Sequence, residues 1–126
     1  MSTKKVVFIA FAIEDARLRD LLKGQSLNTQ TPFEYIDMSV KEPYDNNWKE
    51  HVRTRIKRSD GVIALVSQNT LRSSGEIWEI NCAKEERERI LGLFAYTNDR
   101  TRPSVLEGYR IIPWTWDGIA SFIDSL

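Results

Sequence analysis

The chain has 126 residues, the length of one ordinary domain and too short for two independent cores, so a single domain over 1–126 is expected. Lysine plus arginine equals aspartate plus glutamate at 18 each, so no global field draws the protein to nucleic acid or to an anionic membrane, and neither is an expected partner. A lone cysteine, Cys82, excludes an internal disulfide and a cysteine-rich zinc site, and without a signal-peptide pattern or a bilayer-length apolar run the expected compartment is the cytoplasm.

In chain order, KVVFIAFA (5–12) is nearly continuous in apolar residues, as a strand buried on both faces should be. Leu18, Leu21 and Leu22 then keep one face of a first helix, with Gly24 as its expected stop. FEYIDM (33–38) is the second strand. Asp45, Asn46 and Asn47 are capping candidates for a second helix in which Trp48, Val52 and Ile56 recur every fourth residue. GVIALVS (61–67) is the third strand, and the third helix covers 75–87. RILGLFAY (89–96) is the fourth strand, TNDRTRPSVLEG (97–108) a loop with room for a short helix, and YRIIP (109–113) the fifth strand. Trp116, Ile119, Phe122 and Ile123 give a fourth, amphipathic helix with Asp117 and Gly118 in its first turn.

Strands that alternate with helices imply a three-layer α/β fold around an open, mostly parallel sheet with right-handed crossovers. Five strands in so short a chain favour the flavodoxin-like order 2-1-3-4-5, in which ligands bind beyond the carboxyl ends of strands one and three. Polar residues gather on that rim: Phe11-Ala12-Ile13-Glu14-Asp15 after strand one, Asp37-Met38-Ser39 after strand two, Ser67-Gln68-Asn69 after strand three, and Ser73-Ser74 before the third helix. Glu79 lies within two turns of that helix's start, in reach of the crevice at about 1.5 Å of rise per residue. It is an unusual carboxylate, flanked by Trp78 and Ile80 and succeeded a turn later by Cys82 and Ala83.

Each of these residues also has a purely structural use. Asp15, Asp37, Ser39, Ser67 and Ser74 are good helix caps or Asx-turn formers, and Glu79 could pair with a surface Lys or Arg. Trp48 and Trp78 fit as core anchors. His51 has no second histidine or cysteine to complete a metal site, Cys82 suits a small buried filler, and the charges from Lys84 to Arg89 fit a solvated helix face. The segment at the end of strand one excludes several chemistries: FAIEDARL has no glycine, so no P-loop, dinucleotide fingerprint or flavodoxin phosphate loop is present. A phosphorelay receiver would need an aspartate ending strand three and a lysine ending strand five, where this chain has Ser67 and Pro113.

VVFIAFAIED resembles the first box of TIR domains, and FEYIDMS, NWKEHVRTRIKRSDGVIALVSQNT and SSGEIWEINCA together resemble the compact TIR-like proteins of bacteria that include the Thoeris antiphage TIR component. The likeness covers nearly the whole chain. Its most specific piece is the serine, Glu-Ile pair and small residue of the helix after strand three, matched by Ser74, Glu79, Ile80 and Ala83. Two registers are open, because the family's tryptophan four residues before the glutamate is Gly75 here; anchoring on Trp78 instead would put the glutamate position on Cys82. The serine of the first box is replaced by Ala12.

The resemblance implies cleavage of NAD at the nicotinamide–ribose bond, with Glu79 catalytic and NAD as substrate, and it brings in neither a resident cofactor nor a metal. It also implies a product, linear or cyclic, able to signal to a partner effector in antiphage defence. Phe11, Ile13 and Trp48 are the expected stacking surfaces, Asp15, Asp37, Ser39 and Ser67 the expected hydroxyl binders, and Ala12 and Ser74 the remaining members of the site. TIR domains also self-associate, so a homo-oligomer is expected, and a non-catalytic adaptor is the alternative from another class.

Overall fold

A computed structural model describes residues 4–28, 36–37 and 47–126; the expectations for Ser39, Asp45 and Asn46 lie outside them. The elements are β1 (Val6–Ala10), α1 (Ala16–Leu27), β2 (Ile36–Asp37), α2 (Trp48–Lys57), β3 (Gly61–Val66), α3 (Ser74–Glu85), β4 (Ile90–Phe94), β5 (Ile111–Ile112) and α4 (Trp116–Asp124), with short 3-10 turns at Ile13–Asp15, Gln68–Arg72 and Ser104–Leu106. The strands lie side by side in the order β2-β1-β3-β4-β5, and every neighbouring pair is parallel. The fold is therefore α/β with a parallel sheet. β1, β3 and β4 form the body, β5 is an edge of two residues, shorter than the expected 109–113, and of the expected strand 33–38 only Ile36 and Asp37 lie within the described residues. At the β5 edge the Ile111 side chain fills the space over Gly92, where a Cβ would lie 2.7 Å from Ile111 Cγ1.

Strand side chains alternate between two covered faces, which is why these segments are apolar without interruption. Phe8, Ala10, Val62, Ala64 and Val66 pack with Val52 and Ile56 of α2 and Ile80, Cys82 and Ala83 of α3. Val7, Ile9, Ile63 and Leu65 pack on the other side with Leu22 of α1 and Ile119, Ala120 and Ile123 of α4. A large side chain sealed in either layer contributes about 1.5–3 kcal/mol through removal from water.

The helices differ from expectation mainly at their ends. α1 runs through Gly24 to Leu27, and Leu21, expected on its buried face, is 51% exposed. Asn47 occupies the N-cap of α2 without a side-chain cap bond, whereas Ser73 caps α3 and Thr115 caps α4 through their hydroxyls. α3 closes with Arg87 in the left-handed region at φ 59°; its N–H donates to Lys84 O (3.1 Å) and that of Glu88 to Ala83 O (2.9 Å). This is the paired closure of a Schellman turn, made here without the usual glycine.

Candidate functional site

The rim beyond the carboxyl ends of β1 and β3 is built around Asp15, which closes the 3-10 turn after β1 and is buried. Its position at the N-cap of α1 invites a capping role, yet its side chain makes no cap bond. Instead it accepts from Ser67 Oγ (2.6 Å), Asn69 Nδ2 (2.9 Å) and Tyr96 OH (2.8 Å), groups that lie just past the ends of β3 and β4. One carboxyl thus ties three strand exits together. Ser67 is held in turn, since its hydroxyl accepts from Asn69 N–H (3.0 Å) and its N–H donates to Thr70 Oγ1 (3.1 Å). The Thr70 hydroxyl donates to Leu65 O at 3.3 Å. The loop after β4 is pinned to the same rim through Asp99, which accepts from Gln68 N–H at 2.8 Å and from Thr101 Oγ1 at 2.5 Å.

α3 descends over this rim, and two of its five buried residues are acidic: Glu76 and Glu79 stand with Ile80, Cys82 and Ala83. Glu79 is 4% exposed, so it is not a solvated helix carboxylate. Glu76 is 1% exposed, and neither of its oxygens has a hydrogen-bond partner. Burial first of all pushes the Glu76 carboxyl up to about 9; the nearby Thr70 hydroxyl, whose own bond goes to Leu65 O, offsets this in part, while Glu79, Asp15 and Glu14 push it further. Tyr96 is also shifted upward, first because its hydroxyl donates to Asp15.

The other expected site residues divide. Ala12 is buried, and Phe11 is half-buried beneath the Arg19 guanidinium, which sits 4.9 Å from the ring centroid. Ile13 is 77% exposed, on the solvent side of the 3-10 turn, and Ser74 is exposed on the first turn of α3 while its neighbour Ser73 does the capping. Trp48 meets Trp78 edge to face at 5.1 Å, and both pack on the α2/α3 core. Asp37 belongs to β2 rather than to the turn after it, and its side chain lies outside the described residues. Cys82 is in the core layer, where burial pushes its thiol up to about 11. Lys84, expected in water, reaches the Val105 carbonyl at 3.0 Å, and Arg53 of α2 bridges Glu85 and Glu86.

Sequence reasoning misses Asn69 as an Asp15 partner, Thr70, Tyr96, Asp99 and Glu76. Tyr96 carries a usable signal, because it stands just beyond β4 on the same rim. Glu76 is hidden by pattern, since Ser73-Ser74-Gly75-Glu76 is the serine-to-glutamate spacing of a capping box.

A family model described as Thoeris protein ThsB, TIR-like domain, matches residues 8–100, from β1 through the pinned loop after β4. The chain belongs to this family. The matched segment contains Asp15, Ser67, Asn69, Glu76, Glu79 and Tyr96, so the whole polar rim falls inside the ThsB TIR-like region. β5 and α4 lie beyond it. No curated protein matches the chain. An open groove of about 380 Å³, lined by Leu18, Gln25, Tyr96, Arg100 and Trp114 among others, adjoins the rim only through Tyr96 and does not include Glu79. Among the described residues no cluster of metal-ligating side chains is present, and no helix is long and apolar enough to cross a membrane.

Proposed function

We propose that this ThsB-like TIR domain cleaves NAD at the nicotinamide–ribose bond and that Glu79 is its catalytic carboxylate. The observation that carries the reading is the burial of Glu79 on α3, beside the rim where β1 and β3 end. Nicotinamide is a pyridinium in NAD and leaves neutral, so no general acid is needed at the departing ring. The electron demand falls on the ribose, where positive charge develops as in glycoside cleavage. An anionic group in a site largely closed to water stabilises that charge far more than it would in bulk solvent.

The polar rim suits a ligand rich in hydroxyls. The Asp15 network fixes Ser67, Asn69 and Tyr96 before any ligand arrives, which limits reorganisation at the moment of reaction. Phe11 and Trp48 offer half-buried aromatic surface to a base. Attack by water on the ribose carbon gives ADP-ribose and a proton; attack by a hydroxyl or adenine nitrogen of the same molecule gives a cyclic product, suited to signalling to an effector protein in the cytoplasm. The site needs no metal or resident cofactor for this chemistry.

The test compares nicotinamide release by the intact protein with that by Glu79→Gln, which keeps volume and removes charge. A loss of about 10²- to 10³-fold is expected. Equal rates would remove Glu79 from the mechanism. No release by the wild type, at high concentration and with an infected-cell extract as trigger, would replace the enzyme with a protein-docking module.

A further inference from the structure

Glu76 raises a question that catalysis by Glu79 does not answer. A glutamate at the third position of a helix ordinarily turns back to accept the N–H of the capping residue. Here half of that arrangement exists: Ser73 Oγ accepts from Glu76 N–H at 3.1 Å. The reciprocal half is missing, because Ser73 N–H donates to Thr70 O (3.2 Å) and the Glu76 carboxyl is turned under the rim, fully buried with both oxygens unpartnered. The groups that act on its charge are Glu14 and Asp15 from the turn after β1, Thr70 from the turn after β3, and Glu79 one turn further along α3. Every titratable group in that set is acidic.

A carboxylate sealed among carboxylates, with only the nearby Thr70 hydroxyl to favour it and that hydroxyl donating to Leu65 O, is expensive; a neutral acid in the same place is far less so. Two acidic groups this close share their ionisation, and the one with less access to water keeps the proton. We propose that Glu76 is a positioning residue for Glu79: it holds the proton of the pair beneath the rim and leaves the negative charge to Glu79. This rests on the NAD-cleaving reading for its functional half but not for the proton assignment.

Four measurements decide it. An infrared carbonyl band of a protonated carboxylic acid is expected at pH 7 in the intact protein and is absent from Glu76→Gln; a band that survives the substitution puts the proton elsewhere and overturns the assignment. Because Glu76 ionises freely in the unfolded chain but is pushed up to about 9 when folded, native stability falls as pH rises between about 4.5 and about 9. The Tm of Glu76→Gln relative to wild type should therefore climb across that window and level off above it; a flat difference overturns the proposal. In a Glu79→Gln background the climb should end at a lower pH, because one repelling charge is gone, and an unchanged end point would break the link between the two residues.

The fourth measurement is NAD turnover against pH. Wild-type turnover should fall on the alkaline side as Glu76 ionises and disturbs the placement of Glu79, and that fall should be missing from Glu76→Gln. Identical profiles would overturn the positioning role. Absence of turnover from the wild type would overturn the NAD reading instead, and the first three readouts would still decide where the proton lies.

Discussion

The body of the sheet and its carboxyl rim are held together by opposite physics. In the body, β1 and β3 bury Val7, Phe8, Ile9, Val62, Ile63 and Leu65 completely, and no buried side chain there needs a partner. At the rim, in the turns past the carboxyl ends of those strands and on the start of α3, the buried set is Asp15, Ser67, Thr70, Glu76 and Glu79. Desolvation stabilises the first region and burdens the second, where three of the five are acidic and one of those has no partner. The contrast teaches that stability and chemistry are separated along the strand axis: the body supplies the free energy that lets the rim hold an arrangement unfavourable by itself.

Substitutions can break that contrast. Phe8→Ala empties a fully buried site in the α2/α3 layer and should destabilise by about 3–5 kcal/mol in urea unfolding, with no change in the pH dependence of stability. An altered pH slope in that variant would mean that body and rim are not separable. Asp15→Ala should cost less, roughly 2–3 kcal/mol, because Tyr96 and Asn69 can turn to water while the buried Ser67 hydroxyl loses its acceptor. Unlike the core variant it should loosen the exits of β3 and β4 selectively, visible as faster amide exchange from 67 to 70 and from 95 to 101.

The smallest effect lies at the far end of α3, away from both regions. Arg87→Gly relieves a left-handed residue while keeping the Schellman closure, and should raise stability by about 1 kcal/mol without touching NAD turnover. Lower stability in that variant would show that the Arg87 side chain matters more than its backbone.

Much of the body is legible in the order of residues alone. Nearly continuous, β-branched-rich runs from 5 to 12 and from 61 to 67 suit strands covered on both faces, and the four-residue spacing of Trp48, Val52 and Ile56 among charged residues suits one face of a helix. Local pattern fails where an alternative local answer exists. Gly24 reads as a stop but is tolerated inside α1, where a Cβ would meet nothing within 4 Å and the helix simply continues. The two-residue edge β5 looks longer in sequence because the run from 109 to 113 extends past the ladder pairing that defines a strand.

The rim divides in the same way. Glu79 stands out because its immediate neighbours are apolar, a clash of polarity visible in one dimension. Glu76 gives no such sign, since its spacing from Ser73 already offers a complete local explanation. The primary structure determined the alternation of strand and helix, the apolar layers and the family, because these depend on periodicity and on residue types within short windows. Tertiary structure alone decided that Asp15 would join Ser67, Asn69 and Tyr96 rather than cap a helix, and that Glu76 would be sealed with both oxygens unpartnered. Those outcomes depend on which strand ends the sheet brings together and on which groups that meeting shuts away from water.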